Sequence, residues 1–484
     1  MAKSSQLSLL GLIAIVFSSM VGGGIFNIAQ NMASSATLPA VVMAWIITGG
    51  GMVFLVLTFK YLSELFPNLN QGLYQYAREG FGNYAGFNIA WGYWLCVAAG
   101  NVAFVVMLND AVGAFFPVFL LHDWESILFC ECLVWLMFAL VARGIQTASL
   151  INTLMTCLKF SSIVIIIAIL VVYLRIDILT ADIEENFKGS EVNTLGSFWQ
   201  QAMGTMFITM FCFVGVEGAV MLSSYAKNSK DVGRASVIGF YLALIIYALI
   251  SIMCYGIRTR EDLAGLPDPS VAYVLKLCCG EWAYYFVIST VILSILSAFV
   301  SWTLLCAQAP YGASKVNIFP VAFQRTNRYN VPVYGLFLTT VFMSILIIIV
   351  SLAPDVYMAT LNLTTVMVLP AYGIAGAFLW KMSSFPLSYH IPASIKYKTR
   401  LTGILCVIYC LWCIIAGGFF LFLASSILYL LGFYFYYINY RQQNSLSPTF
   451  HPLLSGKEKL LFSLIAVSSL FSLYLIFTHR LTLS

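Results

Sequence analysis

Three consecutive glycines, Gly22, Gly23 and Gly24, interrupt an apolar run that starts at Leu7 and continues through Ile25 and Phe26. Glycine gives a helix no side chain to hold it and leaves the backbone amides bare. A helix that unwinds here presents free N–H groups and the positive dipole end of its second half, which suits a carboxylate. Close packing of helices through small residues fits the same glycines equally well. A second interruption runs Phe211-Cys212-Phe213-Val214-Gly215-Val216-Glu217-Gly218, two glycines and a carboxylate inside an apolar stretch. Glu217 could act as a pH-sensitive gate or a coupling acid, or be a satisfied structural carboxylate. Lys159 is a third ionisable group within an apolar run, more than ten residues from either end, too deep for easy snorkelling.

These groups need elements to position them, and the composition says which. Of 484 residues, 61% are hydrophobic and 9% charged, where a soluble domain carries about a quarter charged. No soluble core hides that much apolar surface, so lipid is the solvent. A ruler of roughly 20 apolar residues predicts an all-α membrane protein with spans near 8–34, 40–65, 84–116, 124–142, 147–173, 198–222, 236–256, 282–308, 332–352, 356–380, 401–418 and 420–440. The break between the last two rests on Gly417-Gly418. A further run at 460–477 is either a thirteenth span or an interfacial helix. The run after Lys3 resembles a signal peptide, but it continues past Gly24 without an A-x-A site and reads as the first helix.

Charge sets the orientation. With the N-terminus in the cytoplasm, seventeen Lys and Arg fall inside and six outside, with Lys159 within a span. Thirteen of the nineteen carboxylates fall on the other side, either a vestibule that concentrates cations or an ordinary solvated surface. Glu131 lies near the outer end of the fourth helix and is expected to reach water. The twelve cysteines, Cys96 and Cys212 among them, form no paired Cys-x-x-Cys sets of a zinc site and read as buried apolar thiols; no metal and no cofactor are expected. The four histidines, at 122, 390, 451 and 479, lie in loops or termini, which argues against an embedded enzyme, and no ring-forming filter suggests a channel.

The breaks fall in the first and sixth helices, the spacing of two inverted five-helix units. At this point the residues resemble a family. Gly22-Gly23-Gly24-Ile25-Phe26, Tyr93-Trp94, Gly100-Asn101, Gly215-Val216-Glu217-Gly218, Trp302-Thr303-Leu304-Leu305 and Phe319-Pro320 are similar to the amino acid–polyamine–organocation superfamily. Asn70 to Tyr76 and Ala226 to Gly233 resemble its basic amino acid/polyamine antiporters, the branch exchanging arginine for ornithine or agmatine. The resemblance runs from about 8 to 440. It implies a transporter core over 1–380, made of repeats at about 8–173 and 198–380, followed by helices eleven and twelve over 401–440.

The resemblance also implies a site. Amides around Gly22, Gly23, Gly24 and Ile25 would hold the substrate α-carboxylate. Carbonyls from Phe211 through Cys212 and Phe213 to Val214 would take the α-amine. Trp302 would lie against the aliphatic stem or guanidinium, Asn101 would hydrogen-bond nearby, and Cys96 lies between Asn101 and Tyr93, which would help close the outer side. Asn362, Thr364 and Thr365 are candidates on the tenth helix. Lys159 resembles a lysine that, in some relatives, replaces a sodium ion. Relatives that exchange arginine for agmatine often carry Trp where Phe211 stands and Ser where Gly23 stands, which bears on selectivity. The function expected is exchange of external L-arginine for internal agmatine or ornithine across a bacterial inner membrane, in a possible homodimer without nucleic acid. Proton-coupled uptake of cationic amino acids or polyamines is the alternative.

Overall fold

The computed structural model describes residues 6–121, 123–180, 195–352, 355–385, 391–416, 419–446 and 452–478, without the side chains of 121, 207, 355–363 and 446. The four histidines, the acidic residues at 182, 184, 185 and 191, Lys3, Lys188, Arg480 and Gly417-Gly418 lie outside the described residues.

Among the described residues eleven helices are long and apolar enough to cross a membrane. The first segment is interrupted: α1 (Leu9–Met20) and α2 (Ile28–Ala33) flank the triple glycine. Then follow α3 (Leu38–Leu65), the short α4 (Leu73–Phe81), α5 (Asn83–Gly113), α6 (Trp124–Ala142) and α7 (Ile145–Val172). The sixth segment is likewise broken into α8 (Phe198–Gly204), α9 (Met206–Phe211) and α10 (Gly218–Met221). After α11 (Ser229–Tyr255) come the short α12 (Arg260–Ala264) and α13 (Ser270–Cys279). The long α14 (Glu281–Lys315) precedes α15 (Val333–Leu352), α16 (Asp355–Ser384), α17 (Ala393–Ala416), α18 (Phe419–Leu446) and α19 (Gly456–Phe477). The run expected at 460–477 is a 22-residue helix packed on α18, long enough to span.

Several helices outrun their expected spans. α14 reaches Lys315 rather than 308, and α11 starts at Ser229 rather than 236. A hydropathy ruler registers the hydrocarbon-embedded turns and misses polar turns in the headgroup region, where backbone hydrogen bonding still favours helix.

Burial sorts the helices. The most apolar stretch of α5 is 72% buried and that of α14 61%, against 17% for α19, so α5 and α14 are central while α19 faces lipid. α5 packs against α14 and α16, α11 against α1 and α3, and α7 against α1 and α14. The broken segments are tied down at both ends. At the end carrying the basic loops, Leu7 N–H donates to Tyr225 O at 2.7 Å and Lys227 N–H to Leu7 O at 3.0 Å. At the other end the Gln201 side-chain oxygen accepts from the Thr37 amide and hydroxyl, and Tyr255 Oη donates to Ala36 O at 2.8 Å. Fixed ends with interrupted centres place two stretches of non-helical, partly unpaired backbone in the middle of the bundle.

Candidate functional site

The two breaks meet. Gly215 has φ +108°, a region that favours glycine, and a Cβ there would lie 2.6 Å from Ser19 Cβ and 2.9 Å from the Ser19 carbonyl carbon. Gly218, one turn on, packs over Ile15 and Ser19.

At the first break the hydrogen-bond pattern separates donors from acceptors. Gly22 N–H folds back on Met20 O, Phe26 N–H on Gly23 O and Asn27 N–H on Gly24 O. The amides of Gly23, Gly24 and Ile25 donate to no group among the described residues. Such a row of bare N–H groups at the start of a helical segment has the chemistry to take a carboxylate. The carbonyls on the other side of the break are spoken for. Val21 O accepts from Lys159 Nζ at 2.5 Å and Ser294 Oγ at 3.0 Å, Gly22 O from Ser294 at 2.9 Å and Met20 O from Tyr247 Oη at 3.0 Å. Ser19 O accepts from Trp302 Nε1 at 3.0 Å, and Ser18 O from Lys159 at 3.5 Å.

The neighbouring side chains have assignable contacts. Gly24 faces the Phe211 ring, 3.7 Å from where a Cβ would lie, and both residues keep some exposure. Trp302 is buried, edge-to-face with Phe104 at 5.2 Å between ring centres, and lies so close over Gly100 that a Cβ there would sit 2.1 Å from the indole. Asn101 donates to Cys306 Sγ at 3.3 Å, while its buried side-chain oxygen has no partner among the described residues. Such an oxygen, flanked by the Trp302 turn, is an acceptor waiting for a donor. In the second break the Phe211 carbonyl is taken by Val214 N–H, whereas the Cys212 and Val214 carbonyls accept nothing among the described residues.

Some expected residues stand elsewhere. The Phe213 side chain points away, into a cluster with Trp45, Phe240 and Tyr247, so only its backbone borders the break. Cys96 Sγ donates to Thr364 O at 3.2 Å and joins α5 to α16; Thr365 lines a narrow gap with Met210 and Val214. The side chain of Asn362 lies outside the described residues. Tyr93 belongs to the opposite end from the one expected. It is ten residues from the start of α5, on the basic-loop half, where its hydroxyl donates to Glu217 Oε1 at 2.9 Å. Tyr372 Oη and Gly215 N–H donate to the other oxygen of Glu217, so one carboxylate ties α5, the second break and α16 together. Glu131 is tucked against α15, accepting from Ser344 Oγ at 2.6 Å, with its second oxygen buried rather than reaching water.

Residues the sequence reading passed over include Ser294, which satisfies two carbonyls of the first break, and Tyr372. The signal for Ser294 was present: Ser294, Ser297 and Ser301 recur at helical spacing on the buried face of α14, and Ser301 pairs with Ser18. Tyr372 carried none. On the acidic end, several carboxylates are matched by cations next to them: Lys276–Glu281 at 2.7 Å, Arg175–Asp177 at 2.8 Å, Arg258–Asp262 at 3.9 Å. That weakens a negative vestibule. Partial burial also raises the pKa of Asp268 there. Among the described residues no group of three or more His, Cys, Asp or Glu could hold a metal ion.

Comparison with known proteins agrees with this architecture. The amino acid permease family profile matches residues 7–456. An arginine/agmatine antiporter of Chlamydia felis is 38% identical over 481 residues, covering 99% of this chain and 98% of that protein. The arginine/agmatine antiporters of Chlamydia abortus and Chlamydia pneumoniae are each 37% identical, with 99% of this chain covered and 99% and 98% of theirs.

Proposed function

The chain belongs to the amino acid permease family, and we propose that this multi-pass membrane protein is an antiporter that exchanges L-arginine for agmatine by alternating access. It is a transporter, not an enzyme. The observation that carries the site assignment is the row of bare amides at Gly23, Gly24 and Ile25, beside an aromatic face and an unfilled acceptor.

In this reading the amides take the arginine carboxylate and the open carbonyls of Cys212 and Val214 take its α-amine. The guanidinium reaches Phe211, Trp302 and the Asn101 oxygen. Aromatic faces contribute up to about 2 kcal/mol to a desolvated cation, so a binding site without a fixed counter-carboxylate can still release its load. Agmatine lacks the carboxylate and leaves the amide cradle unfilled, which distinguishes influx from efflux substrate at one site. Arginine carries one net positive charge and agmatine two, so each cycle with arginine entering exports one charge. The Tyr93–Glu217–Tyr372 contact closes the basic-loop end, and its breaking lets the load out on that side. The excess of basic residues supports reading those loops, with the N-terminus, as cytoplasmic, and we take the membrane to be a bacterial inner membrane.

Counterflow in proteoliposomes tests the assignment. Vesicles preloaded with agmatine should take up radiolabelled arginine, and empty vesicles almost none. Equal uptake into empty vesicles under a proton gradient would replace exchange by proton-coupled uptake, the reading that buried Lys159 and Glu217 favour. Preloading with ornithine decides whether it too is a counter-substrate.

The second test is Trp302→Leu. Its indole stacks over Gly100 beside the break, so its loss should weaken arginine binding roughly tenfold, within the cation–π range, while elution as a folded protein is kept. Undiminished affinity by calorimetry would remove Trp302 from the site.

A further inference from the structure

Away from the transport site, at the basic-loop end, α4, α5, α16, α17 and α19 surround a cavity of about 780 Å³. Its mouth carries Lys381, Arg400 and Lys457. The one carboxylate there among the described residues, Glu458, is fully used: it accepts from Tyr84 N–H at 2.8 Å and closes a capping box with Ser455 at 2.8 Å. Arg400 and Lys457 are exposed and form no ion pair among the described residues. Lys381 donates to Gly80 O and lies 5.3 Å from the centre of the Phe81 ring. The mouth is therefore positive and rimmed by the exposed aromatics Phe81, Trp380 and Phe385, side chains that favour the headgroup level.

Beneath it lies a second cavity of about 290 Å³ that shares Ala85, Ile374 and Leu461 with the first. Its wall is mostly apolar, with Ile89, Pro370, Phe422 and Ile465 on four different helices, and Asn88, Ser425, Ser426, Tyr429 and Ser468 between them. The two form one groove. From Lys381 to Pro370 on α16 is eleven residues, and from Lys457 to Ser468 on α19 is eleven, each about 16 Å at 1.5 Å per residue. That matches one leaflet of a hydrocarbon core about 30 Å thick.

We propose that this groove is a binding site for an anionic phospholipid of the leaflet on the basic-loop side, with its phosphate between Arg400, Lys457 and Lys381 and one acyl chain along the slot. A zwitterionic lipid supplies an ammonium that the three cations disfavour, and a soluble phosphate supplies nothing for the slot. Basic pockets between transmembrane helices recognise such headgroups. The slot is floored by Pro370 and Ile374, which flank Tyr372 on α16, so the lipid sits against the helix that carries the Glu217 contact.

Native mass spectrometry of the full-length protein in mild detergent tests this, with phosphatidylglycerol, phosphatidylcholine and glycerol 3-phosphate titrated separately. Phosphatidylglycerol adducts should persist at least fivefold better than phosphatidylcholine adducts. The double variant Arg400→Gln, Lys457→Gln should abolish that preference, and Ser468→Trp, which fills the slot, should reduce adducts while leaving the basic mouth intact. Equal retention of both lipids, an unchanged preference in the double variant, or displacement of phosphatidylglycerol by millimolar glycerol 3-phosphate would overturn the proposal.

Discussion

Gly215→Ala is expected to slow arginine counterflow about a hundredfold while leaving a protein that inserts and elutes as a single species. The residue sits at φ +108°, where an L side chain is strained by about 1–3 kcal/mol. The added methyl also meets the backbone of Ser19 at 2.9 and 3.0 Å, atoms that cannot swing aside as a side-chain tip can. Relief requires the two breaks to part, and with them the Gly215 N–H that holds Glu217 at 3.1 Å. Since about 1.4 kcal/mol is a factor of ten, a combined cost near 3 kcal/mol on the closed arrangement lowers the exchange rate about a hundredfold. Gly50→Ala on α3 is the control, because a Cβ there meets nothing within 4 Å. It should exchange at the normal rate. Gly215→Ala matching it would mean that the second break need not approach the first for transport.

The architecture was legible because its signals are one-dimensional. Span number, the interruptions at Gly22–Gly24 and Gly215, and the asymmetry of Lys and Arg all follow from the cost of polar groups in hydrocarbon, which each segment reveals alone. The bare amides at Gly23 and Gly24 belong to that class, since glycine itself signals the unwinding. What needed three dimensions was the pairing across helices. Tyr93 lies ten residues from the start of α5, on the basic-loop half, but its apolar-aromatic run gives no sign of its partners; the contact with Glu217 and Tyr372 is visible only in the fold. Phe213 and Phe211 are indistinguishable as types, yet the loosened turn after Phe211 sends one ring to Gly24 and the other into the Trp45 cluster. Glu131 looked solvated by its place near a helix end, and Ser344 on a neighbour 213 residues away takes it inward.

Lys159→Met should slow exchange more than tenfold, and the reason lies in what the ammonium replaces. Lys159 is wholly buried, fourteen residues into α7 and so about 21 Å along it. It meets no carboxylate among the described residues and points instead at the carbonyl end of α1: Val21 O at 2.5 Å, Ser18 O at 3.5 Å, with the Phe17 ring 5.7 Å away. Carbonyls at the C-terminal end of a half-helix form the negative pole of its dipole, a place for a small cation. A tethered amine there makes a diffusible one unnecessary, so the normal protein should exchange equally well when sodium is replaced by choline. Methionine fills the volume but cannot donate. Ser294 still serves Val21 O, whereas Ser18 O loses its donor, and an orphaned buried acceptor costs about 1–3 kcal/mol. That cost acts on the segment that must hold Gly23 and Gly24 in register with the second break, so the fall should appear in exchange rate with the span count and elution profile unchanged. An unaltered rate in Lys159→Met, or a sodium requirement in the normal protein, would show that the lysine only props the helix and the break is held open by other means.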